Sequence, residues 1–108
     1  MIELLISEAA ALSILEQADY YRETAGGNLA LQWEVAVDEA VHSLIRFPER
    51  GAPSRFRSPE LSDLRWIFVA GFPKHMVFYR YFPQAPAILI VQILHGARNI
   101  DLLLSDGE

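Results

Sequence analysis

A chain of 108 residues has the length of one domain, and a core of that size buries well over half of the surface the unfolded chain exposes. Hydrophobic residues make up 52% of it and are evenly spread, which excludes a disordered polyelectrolyte; no apolar run approaches the roughly 20 residues a membrane span needs. The net charge of -5 weakens any nonspecific attraction to nucleic-acid phosphates, and the absence of cysteine removes disulfides and thiolate metal sites, leaving a reducing cytoplasm as the expected compartment.

The opening "MIELLISEAAAL" carries acidic residues where a secretory signal carries basic ones, so it reads as mature protein. Within it "IELLI" (2–6) is a short apolar strand, and Ser7 offers a side-chain oxygen to cap a helix. Ala10, Ile14, Ala18 and Tyr21 then recur at helical spacing, with Glu8, Glu16, Asp19 and Glu23 largely elsewhere. "GGN" (26–28) breaks the pattern, and a second helix carries Trp33, Val37, Val41 and Leu44 on one stripe before stopping short of Pro48. Two amphipathic helices joined by so few residues read as an antiparallel hairpin.

"PERGAPSRFRSPELS" (48–62), with three prolines and no periodicity, reads as a loop. Beyond it the period changes. "LRWIFVA" (64–70), "HMVFYRYF" (75–82) and "AILIVQILH" (87–95) are rich in aromatic and β-branched residues, separated by "GFP" and "PQAP" as turns. Short connections make these an antiparallel meander. The expected architecture is α+β, in the order β-α-α-β-β-β, a single domain over 1–108 with the helix hairpin on one face of a small, mainly antiparallel sheet.

Strand alternation adds an expectation about partners. Val77, Tyr79 and Tyr81 oppose Met76, Phe78 and Phe82, and Leu89, Val91 and Ile93 oppose Ile88, Ile90 and Leu94, so both sheet faces are mostly apolar. Two helices cover only one, which leaves the other face, or an edge strand, for a partner. Charge is also polarised. Residues 1–45 hold eight acidic side chains against Arg22, about -7; residues 46–98 hold seven arginines and Lys74 against three acids, about +5; the last ten return about -3. The basic second half is the part suited to an anionic partner.

No phosphate-cradling glycine loop, HExxH, GxSxG or carboxylate cluster is present, and His42, His75 and His95 lack metal-ligand spacing, so neither metal nor cofactor is expected. The remaining constellation is Arg65, Arg80, His95 and Arg98, with Tyr79 beside Arg80. Guanidinium groups stabilise charge on a phosphate, and an imidazole or phenol moves a proton, so a meander that brings these together suits phosphodiester chemistry. The plainer reading has His95 and Arg98 capping the last strand and pairing with Asp101 or a helix carboxylate.

The helix hairpin, "FPERG" (47–51), "LRW" (64–66), "GFPKHMVFYRY" (71–81) and "ILHGARN" (93–99), in that order, resemble the RelE/ParE superfamily of type II toxin–antitoxin (plasmid-stabilisation) proteins. The strand running into His-x-x-Arg is the most specific part, and the pattern is more similar to the ParE branch. The resemblance implies a toxin. RelE-like members cut messenger RNA on the ribosome without metal; ParE-like members are described as poisoning DNA gyrase. A single lysine, Lys74, and the absence of a tyrosine beyond Tyr81 depart from the nuclease pattern. On this resemblance Arg65, His95 and Arg98 carry over by motif position, and Tyr79 and Arg80 more loosely. They form a functional rim or target-binding surface in a ParE-like protein, with His95, Arg65 and Arg98 catalytic only in a RelE-like one. The implied partner is a cognate ParD-like or RelB-like antitoxin whose acidic, poorly ordered segment wraps the toxin into a hetero-oligomer. A fold that has lost toxicity is the remaining reading.

Overall fold

The computed structural model describes residues 2–54, Phe56 and 58–95. β1 (Glu3–Ile6) leads into α1 (Glu8–Ala25), whose first turn is capped by Ser7: its Oγ accepts from the Ala10 amide at 3.0 Å and donates to the Val91 carbonyl at 2.7 Å. Gly26, at φ +97°, makes the sharp reversal into α2 (Gly27–Arg46), a backbone conformation that side chains disfavour. β2 (Ala52–Pro53), β3 (Arg65–Val69), β4 (Phe72–Phe82) and β5 (Ala87–His95) follow. The sheet order is β1-β5-β4-β3-β2, with β1 parallel to β5 and every other pair antiparallel. Among the described residues no helix is long and apolar enough to cross a membrane.

The expected hairpin-on-sheet arrangement is therefore found. α1 lies against β5 and α2 against β3 and β5. The predicted stripe of Trp33, Val37, Val41 and Leu44 is buried against Ile67, Val69, Val77, Tyr79, Ile88, Ile90 and Ile93. Each such side chain contributes about 1.5–3 kcal/mol on burial, and the Trp33 indole donates to the Ile14 carbonyl at 3.1 Å, tying the two helices together.

Four local expectations are corrected. The 48–62 segment is not wholly loop, because Ala52–Pro53 adds a two-residue edge strand to β3. The turn before β4 is tighter than "GFP": Gly71, at φ +84°, allows the reversal, and Phe72 already pairs with Val69. The alternation in β5 is broken by a bulge, since Phe78 pairs with Gln92 while Tyr79 pairs with Ile90, leaving Val91 unopposed. Ile93 therefore joins Ile88 and Ile90 under the helices, and Val91 with Leu94 faces the other side. Finally, the second sheet face is not left bare for a partner. Phe56, Leu61 and Leu64 from the long connection fold back over Met76, Phe78, Trp66, Val91 and Leu94 as a second, smaller core.

Candidate functional site

Arg65 and Tyr79 are register partners on β3 and β4, and both are committed to the segment after α2. Tyr79 is fully buried; its Oη donates to the Pro48 carbonyl at 2.8 Å and accepts from the Gly51 amide at 2.9 Å. Burial pushes this phenol above its usual value, partly opposed by the Gly51 amide and the Arg65 and Arg50 charges. Arg65 Nη1 donates to the Glu49 and Gly51 carbonyls at 3.1 and 2.9 Å, with the Glu49 carboxylate 3.8 Å from Nη2. A Cβ on Gly51 would stand 2.6 Å from Tyr79 Oη and 2.7 Å from its Cε1, so only glycine fits there. The "FPERG" motif is thus the piece of backbone that Tyr79 and Arg65 hold.

Arg80, one residue on, faces the other way. Its Nε and Nη2 reach Asp63 Oδ2 and Oδ1 at 2.9 and 3.1 Å, and Nη2 also donates to the Glu60 carbonyl, so it fastens the 58–64 segment over the second core. His95 ends β5, exposed, on the helix side where the bulge has placed it. Its register partner is His75, four positions along β4 from Tyr79, or roughly 13 Å at the strand rise. The expected convergence of Arg65, Tyr79, Arg80 and His95 is corrected: alternation turns Arg80 to the opposite face, and the length of β4 separates His95 from Arg65. Arg98 lies outside the described residues.

What the structure does assemble around His95 is a different group. The His75 and His95 rings stand edge to face with centroids 5.0 Å apart. His75 is only 5% exposed, boxed by Trp33 at 4.6 Å and by Tyr21 and Phe72 at 6.3 Å each, and neither ring nitrogen has a hydrogen-bond partner among the described residues. Burial, with His95 as a second contribution, lowers its pKa to about 4, so the ring is neutral at physiological pH. Two cavities share this pair as a wall: about 280 Å³ toward Ser13, Glu16, Gln17 and Tyr20 of α1, and about 230 Å³ toward Tyr21, Gly71, Phe72 and Lys74. The signal is present in the sequence, because His75 shares its parity with the buried Val77 and Tyr79. Among the described residues no group of three or more histidine or acidic side chains is placed to hold a metal ion.

The 47–51 segment follows Arg46 in the last turn of α2, carries Glu49 and Arg50, whose guanidinium donates to Ser43 Oγ, and is held by Arg65, with Phe47 64% exposed. This is a basic surface with an apolar centre.

A family model described as the ParE toxin of the type II toxin–antitoxin system parDE matches residues 4–100. No curated protein matches. Among solved structures, the chromosomal ParDE toxin–antitoxin system from P. aeruginosa superposes with a TM-score of 0.73 at 21% identity, covering 90% of this chain and 98% of that one. A YoeB/ParE toxin from Agrobacterium tumefaciens gives 0.56 at 11% identity, covering 89% and 100%. At these identities the likeness is one of fold.

Proposed function

The chain belongs to the ParE toxin family of type II toxin–antitoxin systems, and from that premise we propose that it acts by binding and inhibiting a protein target, with DNA gyrase the first candidate, and that a cognate ParD-like antitoxin neutralises it. The observation that carries the inhibitor reading is the dispersal, among the described residues, of the groups a metal-free nuclease would need in one place. Cleaving a phosphodiester calls for guanidinium groups and a proton-transfer group within hydrogen-bond reach of one phosphate. Here the Tyr79 phenol is internal and spends both its hydrogen-bonding directions on Pro48 and Gly51. Arg80 is paired with Asp63 on the far face, and His95 stands at the other end of the sheet from Arg65. Recognition of a protein surface makes no such demand for convergence.

Neutralisation follows from complementarity of charge and shape. The Arg46, Arg50 and Arg65 end, centred on the exposed Phe47, suits an acidic segment that buries one or two apolar side chains. A disordered antitoxin tail would order as it binds, which matches a long, shallow surface better than a deep pocket.

Induced expression tests the reading directly. Growth arrest with a DNA-damage response and intact translation is the expected result, relieved by co-expressing a cognate ParD-like antitoxin. Codon-positioned messenger-RNA cuts on purified ribosomes that vanish in His95→Gln would replace it with the RelE-like ribonuclease reading. Unimpaired growth at high expression would mark a fold that has lost its toxicity.

A further inference from the structure

A neutral imidazole carries one donor and one acceptor, and His75 leaves both without a partner among the described residues, in a box that a phenylalanine would fill. Unpaired polar groups are uncommon in native interiors and call for an explanation, such as a ligand that supplies the missing partner. The larger of the two adjoining cavities has the chemistry of a receptor. Its one carboxylate, Glu16, is exposed and has no ion-pair partner among the described residues. Tyr20 offers a ring 58% exposed at the rim. Gln17 and His95 add further polar groups. Lys74 lies on the second cavity, on the other side of the histidine pair.

From this geometry we infer that the cavity between α1 and the end of β5 receives the guanidinium of an arginine presented by the toxin's protein target. Glu16 supplies the opposite charge, the Tyr20 face stacks the planar cation, and a guanidinium N–H donates to the unprotonated ring nitrogen of His75. An ammonium meets the carboxylate but is not planar and stacks less well. The antitoxin segment is a poor occupant, because it is proposed to be acidic and to dock at the basic end, whereas the charged side chain lining this cavity is the Glu16 carboxylate. The inference rests on the reading of the chain as an inhibitor of a protein target.

The test uses the full 108-residue chain and three capped alanine pentapeptides with arginine, citrulline or lysine at the centre. Binding is followed by the imidazole carbon-bound proton resonances of His75 and His95. The arginine peptide is expected to shift both saturably, with citrulline at least tenfold weaker and lysine several-fold weaker. Glu16→Gln is expected to weaken arginine binding about tenfold at an unchanged melting temperature, since Glu16 is exposed. Histidine resonances that do not move, equal binding of citrulline, or undiminished binding by Glu16→Gln would overturn the assignment; equal binding of lysine would overturn its guanidinium specificity. Toxicity without peptide binding would remove the cavity assignment alone, whereas peptide binding without toxicity would count against the inhibitor reading.

Discussion

Replacing His75 by phenylalanine should make the protein more stable at neutral pH and much less sensitive to acid. The unfolded chain takes up a proton on this imidazole near 6.5, while the folded chain resists until about 4. Between those values the unfolded state binds more protons, so stability falls as pH falls through the window and is unaffected by this group above it. A fall from 6.5 to about 4 corresponds to about 3 kcal/mol lost from pH 7 to pH 4. Phenylalanine abolishes that loss and keeps the contacts with Trp33, Tyr21 and Phe72. It also removes two buried polar atoms that have no partners among the described residues, worth on the order of 1 kcal/mol or more at pH 7 after allowance for the larger ring. Urea unfolding followed by tryptophan fluorescence, with Trp33 against the substituted ring, measures both proteins at each pH. Taking their difference cancels the carboxylates, which titrate alike in the two. The gap between variant and parent should widen by about 3 kcal/mol between pH 7 and pH 4. A gap that stays constant would show that His75 is hydrogen-bonded or charged in the native state, and the reasoning from its burial would fail.

Gly51→Ala should cost roughly 2–4 kcal/mol, because its Cβ meets Tyr79 Oη and Cε1 inside a packed region; thermal melting reads this, and a loss under about 0.5 kcal/mol would contradict the close approach. Tyr79→Phe should cost about 1–3 kcal/mol by leaving the Pro48 carbonyl and the Gly51 amide unpaired, while toxicity per folded molecule stays at the parent level; toxicity lost at full folding would return the phenol to the functional surface. Arg80→Ala and Asp63→Ala, combined in a double-mutant cycle of urea unfolding, should show a favourable coupling of about 0.5–2 kcal/mol from the bidentate pair, and additive losses would mean the contact contributes nothing.

The helices were legible because their signal is local. Ser7 followed by the Ala10, Ile14 and Ala18 spacing, and the stripe from Trp33 to Leu44, depend on residues three and four apart, and Gly26 marks the break between them. The strands were legible as strands but not as faces. A period of two assigns sides only while register is unbroken, and the unopposed Val91 moved Ile93 and His95 to the helix side with no mark in the sequence. The second face looked unpartnered for a related reason: nothing periodic shows that Phe56, Leu61 and Leu64, scattered through a proline-rich segment, would fold back onto Met76 and Phe78.

The candidate site was legible as residues and not as a site. Motif order picks out Arg65, His95 and Arg98, and more loosely Tyr79 and Arg80, and the structure gives three of these work in holding the chain: Arg65 and Tyr79 on Pro48–Gly51, Arg80 on Asp63. A motif can identify a fold because it builds that fold, so matching the pattern identifies the family without locating its chemistry. Holding the 47–51 segment has a consequence at the surface all the same. By fixing that turn, Tyr79 and Arg65 set where Phe47 projects, and with it the arginines on either side. A substitution at Tyr79 that preserves folding and toxicity but weakens antitoxin binding would therefore act through the position of Phe47. Phe47→Ala should reproduce it, because removing an exposed ring costs the free protein little and the complex an anchor.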